Sequence, residues 1–166
     1  ISLSEIMNTK DKVEQVLAEL EMEKFIFDGD SYEFAWKDPV SLTITNLGNK
    51  ELLIEGSVKL SLIIFCSRCL KKLEYPMDID LCKEIDFKLT EEERAEDLDE
   101  ANYIIGYNLD VDILIKGEII IALPMRLLCS DDCKGICPYC GKNRNHEVLD
   151  PRMSAIRDIF NNFKEV

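Results

Sequence analysis

The sequence lacks any long apolar run, and this absence argues against a membrane-spanning helix. Such a helix needs about 18 to 20 consecutive apolar residues, whereas the longest apolar runs here, 60–66 and 119–123, have the length of core segments. The first ten residues, ISLSEIMNTK, also lack the basic head and apolar stretch of a secretion signal. We therefore expect a cytoplasmic protein, whose 166 residues suffice to bury a hydrophobic core.

Familiar catalytic strings are absent as well. The chain contains one histidine, His146, and no HExxH, GxSxG, P-loop or Rossmann string. Paired carboxylates are frequent in 91–100 (EEERAEDLDE), but this polar segment offers no apolar pocket for acid–base chemistry. We expect that the protein is not an enzyme, and that His146 is an exposed loop residue rather than a metal ligand.

Basic residues are outnumbered by acidic ones, 20 to 33, so the formal net charge is −13. The segment from Glu84 to Asp112 has eleven acidic and two basic residues and carries most of the excess of negative charge. The acidic loop predicted at 90–102 lies within it. We interpret that loop as a solvated surface segment that maintains solubility. The alternative is that it binds a basic partner, such as a ribosomal protein.

Alternating apolar and polar residues predict a β-rich domain. Strands are expected at 31–36, 39–45, 51–65 and 72–87, with a hairpin turn at 46–50 (NLGNK). The segment Lys10–Phe27 is ambiguous, since its composition suits a helix and its alternation suits a strand. The expected fold class is α+β, mainly an antiparallel β-sheet or partly open barrel with two short helices.

The two helices are predicted from their caps and apolar periodicity. Asp110 is a candidate N-cap for a helix over 111–123, which Pro124 ends. Pro151 opens a C-terminal helix. The apolar stripe of the first comprises Val111, Leu114, Ile115, Ile119 and Ala122, and that of the second comprises Met153, Ile156, Ile159, Phe160 and Phe163. We therefore expect the chain to comprise a core domain at 1–128. Residues 129–166 are expected to form a cysteine-rich loop and a C-terminal helix that pack on this domain.

The cysteines give the strongest chemical signal. Seven are present, an odd number that disfavours a disulfide framework in a cytoplasmic chain. A CxxC pair lets two thiolates of one tight turn hold a tetrahedral zinc ion. Six cysteines are candidate ligands of a structural zinc site: Cys66, Cys69, Cys129, Cys133, Cys137 and Cys140. The seventh, Cys82, falls within a predicted strand and is interpreted as a small core residue.

Two other interpretations of the thiols remain open. They are unligated and reduced, or Cys137 and Cys140 form the CPYC active site of a thiol-disulfide oxidoreductase. The redox chemistry needs its first thiol at a helix N-terminus, whereas the segment that follows, 141–150 (GKNRNHEVLD), is not an amphipathic helix. A zinc-stapled loop therefore accounts better for the pattern, because metal binding would order a loop that buries little apolar surface.

The order of the motifs resembles the YceD-like family. The resemblance covers roughly Glu55 to Phe163 and rests on "CSRCL", an acidic stretch, "DLDVDILIKGEIIIALPM", "LCSDDCKGICPYCGKNRN" and "DPRMSAIRDIF". It implies a non-enzymatic role in large-subunit (23S) ribosomal RNA accumulation or processing, and hence in ribosome assembly. It also favours a strand for the ambiguous first segment.

The chain departs from the family pattern downstream of Cys140. Members with this knuckle commonly continue with a C-x-C pair, whereas here the residues are Asn-Arg-Asn. We therefore hypothesise that Cys66 and Cys69 share a metal with either Cys129 and Cys133 or Cys137 and Cys140. Spacing does not separate these two sets.

Basic side chains in the C-terminal part are candidate phosphate contacts, and the expected partner is a ribosomal RNA precursor or a basic ribosomal protein. These residues are Lys134, Lys142, Arg144, Arg152 and Arg157. The more ordinary interpretation is that they are surface charges.

Overall fold

The computed structural model describes residues 1–88, 103–137, 141, 143 and 144. The chain forms two compact units. Unit 1 comprises residues 1–64 and 74–125, and unit 2 comprises residues 65–73 and 126–166. Neither helix of the described part has the length and hydropathy that crossing a membrane requires.

A six-stranded sheet dominates the structure. Its strands are β1 (Val13–Ala18), β2 (Lys24–Phe27), β3 (Asp30–Lys37), β4 (Val40–Gly48), β5 (Glu51–Phe65) and β6 (Lys72–Asp86). The order is β1-β4-β5-β3-β2, and β6 also pairs with β5. Strand β5 is long enough for β4 to pair along Glu51–Ser57 and for β3 to pair along Leu60–Ile63, both antiparallel.

Period-two burial explains why these residues form strands. In β4 the side chains of Val40, Leu42 and Ile44 are fully buried, and the residues between them are exposed or half-buried. Among the described residues, the end strands β1 and β2 do not pair with each other, so the sheet is open. The predicted α+β class with a mainly antiparallel sheet is thus confirmed.

The ambiguous N-terminal segment forms strands. Strand β1 pairs antiparallel with β4, with Val13 opposite Thr45 and Ala18 opposite Val40. Strand β2 pairs with β3 and contributes the fully buried Phe25. In this segment the alternation of apolar and polar residues, and not the helix-like composition, therefore indicated the correct structure.

The hairpin between β4 and β5 differs in detail from the predicted turn at 46–50. Only Asn49 and Lys50 form the loop, and both have positive φ, 54° and 67°, as a two-residue type I′ turn requires. Asn46 instead lies in β4 and is buried. Its side-chain amide donates to the carbonyls of Ile6, Met7 and Thr9, so it anchors the N-terminal segment to the sheet.

Two helices are present in the described residues. Helix α1 (Ser4–Met7) was not predicted, nor was the short hairpin of β7 (Ile104–Ile105) and β8 (Asn108–Leu109). Helix α2 (Val111–Ala122) begins where the sequence predicts it, because the carboxylate of Asp110 accepts a hydrogen bond from the Ile113 N–H.

The predicted core stripe of α2 is only partly correct. Leu114, Ile115 and Ile119 are buried, whereas Val111 is half-buried and Ala122 is exposed. An ion pair of 2.9 Å joins Glu118 of this helix to Lys83 of β6. The predicted acidic loop (90–102) and the predicted C-terminal helix lie outside the described residues.

The prediction that Cys82 is a core residue is wrong, because its side chain is exposed. Ile79 and Leu81 are buried in β6, and successive residues of a strand face opposite sides. Cys82 therefore shares the solvent face with Asp80 and Glu84, which are also exposed. Its position within the strand should have excluded it from the core.

Candidate metal centre

The first CxxC pair lies in a tight turn that connects β5 to β6. The Cys66 N–H donates to the Lys71 carbonyl over 2.9 Å, and the Leu70 N–H donates to the Cys66 carbonyl over 3.0 Å. Leu70 has a φ of 57°, in the left-handed region. Both cysteines of the pair therefore lie on one turn between β5 and β6.

Backbone hydrogen bonds bring the segment 126–129 to this turn. The Ser67 N–H donates to the Leu127 carbonyl over 2.8 Å, and the Leu127 N–H donates to the Ser67 hydroxyl over 3.3 Å. Two residues further on, the Cys129 N–H donates to the Cys66 Sγ over 3.4 Å. The pairing thus delivers Cys129 to the first CxxC turn.

A second set of contacts fixes Cys133. The Arg68 guanidinium donates to the Cys133 carbonyl over 3.0 Å. Gly135 has a φ of 73°, and a Cβ atom there would lie 3.3 Å from the Arg68 carbonyl oxygen. The close approach and the left-handed backbone both favour glycine at this position.

These contacts bring four sulfurs together. The Sγ atoms of Cys66, Cys69, Cys129 and Cys133 all lie within 4.8 Å of one another. Cys66 is 3.8 Å from Cys133, and Cys69 is 3.5 Å from Cys129. A disulfide needs about 2.05 Å, whereas two thiolates on one tetrahedral zinc ion, each at about 2.3 Å, are about 3.8 Å apart. The spacing fits a shared metal ion.

The surroundings of the sulfurs are apolar. Cys66, Cys69 and Cys133 are buried, and Leu73 and Leu128 pack against them. Thiolates in such a place are stable only when a cation compensates their charge. The donor set is therefore consistent with a metal site that is closed to water.

The thiols differ in acidity. Burial raises the pKa of Cys66, but hydrogen bonds from the backbone N–H groups of Arg68, Cys69 and Cys129 outweigh it and lower the pKa to about 6. The hydrogen bond with the Cys133 thiol, followed by burial, raises the pKa of Cys129 to about 12. Cys66 is therefore prepared as the first thiolate, and a metal would have to displace the proton of Cys129.

The structure does not include Cys137 in the cluster, and Cys140 lies outside the described residues. Of the two hypothesised sets, it brings together the one with Cys129 and Cys133. Ile136 and Asn143 form an antiparallel bridge, and the Gly141 N–H donates to the Cys137 carbonyl over 2.8 Å. The described residues on either side of the second CxxC pair are thus paired antiparallel, whereas the redox alternative needs a strand followed by a helix there.

Two of the five predicted basic residues lie in the described part of the chain. Lys134 and Arg144 are exposed in unit 2. The Arg144 N–H donates to the carbonyl of Gly135, the residue after Lys134, over 2.9 Å, so Lys134 and Arg144 lie in adjacent segments. Lys142, Arg152, Arg157 and His146 lie outside the described residues. The predicted set did not include Arg68, Lys71 and Lys72, although they lie in the run RCLKK at the first CxxC pair.

A site of four cysteines is chemically suited to a structural role. All four positions of a tetrahedral zinc ion are filled by sulfur, whereas a catalytic zinc keeps one position for water or substrate. The arrangement would hold two distant chain segments together without offering a place for a reaction.

Comparisons with known proteins agree with the motif order. The family described as "Large ribosomal RNA subunit accumulation protein YceD" matches residues 54–160, which include all four clustered cysteines. The uncharacterized protein YlbN of Bacillus subtilis is 25% identical over 122 residues, 69% of either chain. The uncharacterized protein Mb2951c of Mycobacterium bovis is 24% identical over 65% of this chain. The chain spans 55% of the length of that mycobacterial relative. No solved structure matches.

Proposed function

This chain belongs to the YceD family, whose description refers to accumulation of the large ribosomal RNA subunit, and we propose on that premise that it supports large-subunit (23S) ribosomal RNA accumulation and processing during ribosome assembly. In this proposal it acts in the cytoplasm as a binding factor and not as an enzyme. Its direct partner is a ribosomal RNA precursor or a basic ribosomal protein. The family match over residues 54–160 is the observation that carries the proposal.

The second part of the proposal is a structural zinc ion held by Cys66, Cys69, Cys129 and Cys133. Their sulfur spacing and apolar surroundings support it. A four-sulfur site also supports a non-enzymatic role, since it leaves no open position on the metal. The ion would fix the segment 126–133 against the first CxxC turn, and its binding free energy would contribute to the folding of unit 2.

Deletion of the gene in its native host tests the ribosomal role. We expect less large-subunit than small-subunit ribosomal RNA in the deletion strain, and recovery when the wild-type gene is restored. Restoration with Cys66→Ser should recover little, whereas Cys82→Ser, at an exposed cysteine outside the cluster, should recover fully. An unchanged ratio of the two RNAs in the deletion strain would refute the ribosomal role.

Co-purification tests the direct association. The tagged protein should co-purify with precursors of the large subunit at low salt, and an RNA contact should weaken as salt is raised. Association that is insensitive to salt would instead favour a protein partner.

A further inference from the structure

Charge is divided unequally between the two units. Unit 2 contains ten Lys and Arg residues and six Asp and Glu residues, a formal net charge of +4. Unit 1 contains the remaining ten basic and 27 acidic residues, a net charge of −17. The overall charge of −13 therefore conceals a basic unit, and this unit is the one that contains the cysteine cluster.

The described basic residues of unit 2 lie in the first CxxC turn or next to residues that contact it. Arg68 and Lys71 belong to the turn, and Lys72 follows it. Arg126 precedes Leu127, which pairs with Ser67 of the turn. Lys134 follows Cys133, whose carbonyl accepts from Arg68, and Arg144 bonds to Gly135, which contacts Arg68. All six are exposed: Arg68, Lys71, Lys72, Arg126, Lys134 and Arg144. Against them stand two described acids, Asp131 and Asp132.

An exposed aromatic ring lies beside one of these cations, Lys72. Phe65, the last residue of β5, keeps 46% of its surface in contact with solvent. The Lys72 Nζ lies 5.9 Å from the centroid of its ring, a cation–π distance. Surfaces that bind single-stranded nucleic acid combine such rings, on which bases stack, with cations that follow the phosphates.

We propose that Phe65, Arg68, Lys71, Lys72, Lys134 and Arg144 form a contact surface for single-stranded RNA, hereafter the turn surface. Phe65 stacks on an unpaired base, and Lys71 and Lys72 contact the adjoining phosphates. Arg68 uses one guanidinium nitrogen on the Cys133 carbonyl and has further N–H donors for a phosphate. The inference deepens the proposed function, on which it rests, by naming RNA as the direct partner and this surface as the site.

Charge complementarity favours RNA over a basic ribosomal protein at this surface. A basic protein would be repelled by the five exposed cations of the turn surface, whereas an RNA phosphate gains a favourable contact and releases counterions. A competing role for the cations is to compensate the thiolates, because four thiolates with one divalent ion carry a net charge of −2. That role predicts an effect on metal retention, so zinc content is measured in every variant.

The test uses the zinc-loaded full chain and a labelled single-stranded RNA of about 16 nucleotides. Lys71→Glu combined with Lys72→Glu should weaken binding at least about tenfold, and the slope of log affinity against log salt should fall by about 1.4, the value for two lost phosphate contacts. The matched control is Lys24→Glu with Lys116→Glu, two exposed lysines of unit 1, which changes the net charge equally. It should weaken binding less than about threefold.

A second variant tests stacking without altering charge. Phe65→Leu keeps an apolar side chain but removes the ring, and should weaken RNA binding at least about fivefold with an unchanged salt slope. The matched control is Trp36→Leu, since Trp36 is an aromatic of unit 1 with a similar exposure of 44%. It should leave RNA binding unchanged.

The outcomes separate this inference from the proposed function. Equal losses in the turn-surface variants and their controls would overturn the inference, as would zinc release by Lys71→Glu with Lys72→Glu. Absence of RNA binding by a wild-type protein that restores ribosomal RNA in the deletion strain would also overturn it, and would assign the partner as a protein. RNA binding that depends on the turn surface, in a protein whose deletion leaves ribosomal RNA unchanged, would support the surface and refute the ribosomal role.

Discussion

The Sγ atoms of Cys66 and Cys133 lie 3.8 Å apart although 67 positions separate the two residues in the sequence. Their approach joins a strand-connecting turn to a segment with little regular structure. Few apolar residues are available to hold that segment, and Leu128 is one of them. A metal ion between the sulfurs would supply the missing ordering free energy.

Removal of one clustered cysteine should release the metal. Cys133→Ser replaces a thiolate by a hydroxyl that binds zinc poorly. We expect zinc affinity to fall by more than about 100-fold, which exceeds the usual effect of removing a residue that only hydrogen-bonds to a ligand. Zinc per chain, measured after gel filtration, checks this.

The control for that experiment is Cys82→Ser, because Cys82 is exposed on β6. Its stability should stay within about 0.5 kcal/mol of the wild type, with zinc retained. Full zinc occupancy in Cys133→Ser would show that Cys133 is not a ligand.

Zinc affinity should rise with pH because the ion displaces thiol protons. Above a pH of about 6 the Cys66 thiol is already ionised, whereas Cys129, with a pKa raised to about 12, still holds its proton. Binding near pH 7.5 should therefore release at least one proton and no more than about three. Below pH 6 Cys66 also carries a proton, so zinc binding should release more protons there than near pH 7.5.

Isothermal titration calorimetry in buffers of different ionisation enthalpy counts these protons. The count at about pH 5.5 should exceed the count at about pH 7.5. Equal counts at both values would contradict the lowered pKa of Cys66.

Alanine substitutions at two glycines of unit 1 should change the free energy of unfolding in opposite directions. A Cβ atom at Gly117 in α2 would meet nothing within 4 Å, so Gly117→Ala should raise the free energy of unfolding by about 0.5 to 1 kcal/mol. A Cβ atom at Gly56 in β5 would lie 2.6 Å from both the Leu42 side chain and the Ser41 carbonyl oxygen. Gly56→Ala should therefore lower the free energy of unfolding by about 1 to 3 kcal/mol.

Chemical denaturation of both glycine variants provides the measurement, with the wild type as reference. A destabilised Gly117→Ala would mean that α2 packs differently from this structure. A Gly56→Ala variant as stable as the wild type would contradict the close pairing of β4 and β5.

Strands and the long helix were predictable because their signals are local. Alternation alone delimits β5 and β6, and Asp110 marks the start of α2. Cys82 was misassigned because its residue type was given more weight than its place in the alternation.

The membership of the cysteine cluster was not predictable because it depends on contacts between distant segments. The two CxxC pairs have the same spacing, so spacing cannot tell which downstream cysteines reach Cys66 and Cys69. The hydrogen bonds between Ser67 and Leu127 bring residues 126–129 to the first CxxC turn, and one of them joins backbone atoms, which every residue carries. The role of Asn46 in anchoring the N-terminal segment was hidden for a similar reason, since the acceptors of its amide are the backbone carbonyls of Ile6, Met7 and Thr9.

Zinc-edge X-ray absorption of the Cys137→Ser, Cys140→Ser double variant tests the central claim most directly. If Cys66, Cys69, Cys129 and Cys133 share one ion, the zinc-loaded variant should show four sulfur neighbours at about 2.3 Å, as the wild type does. Fewer than four sulfur neighbours, or loss of the metal from this variant alone, would contradict the claim.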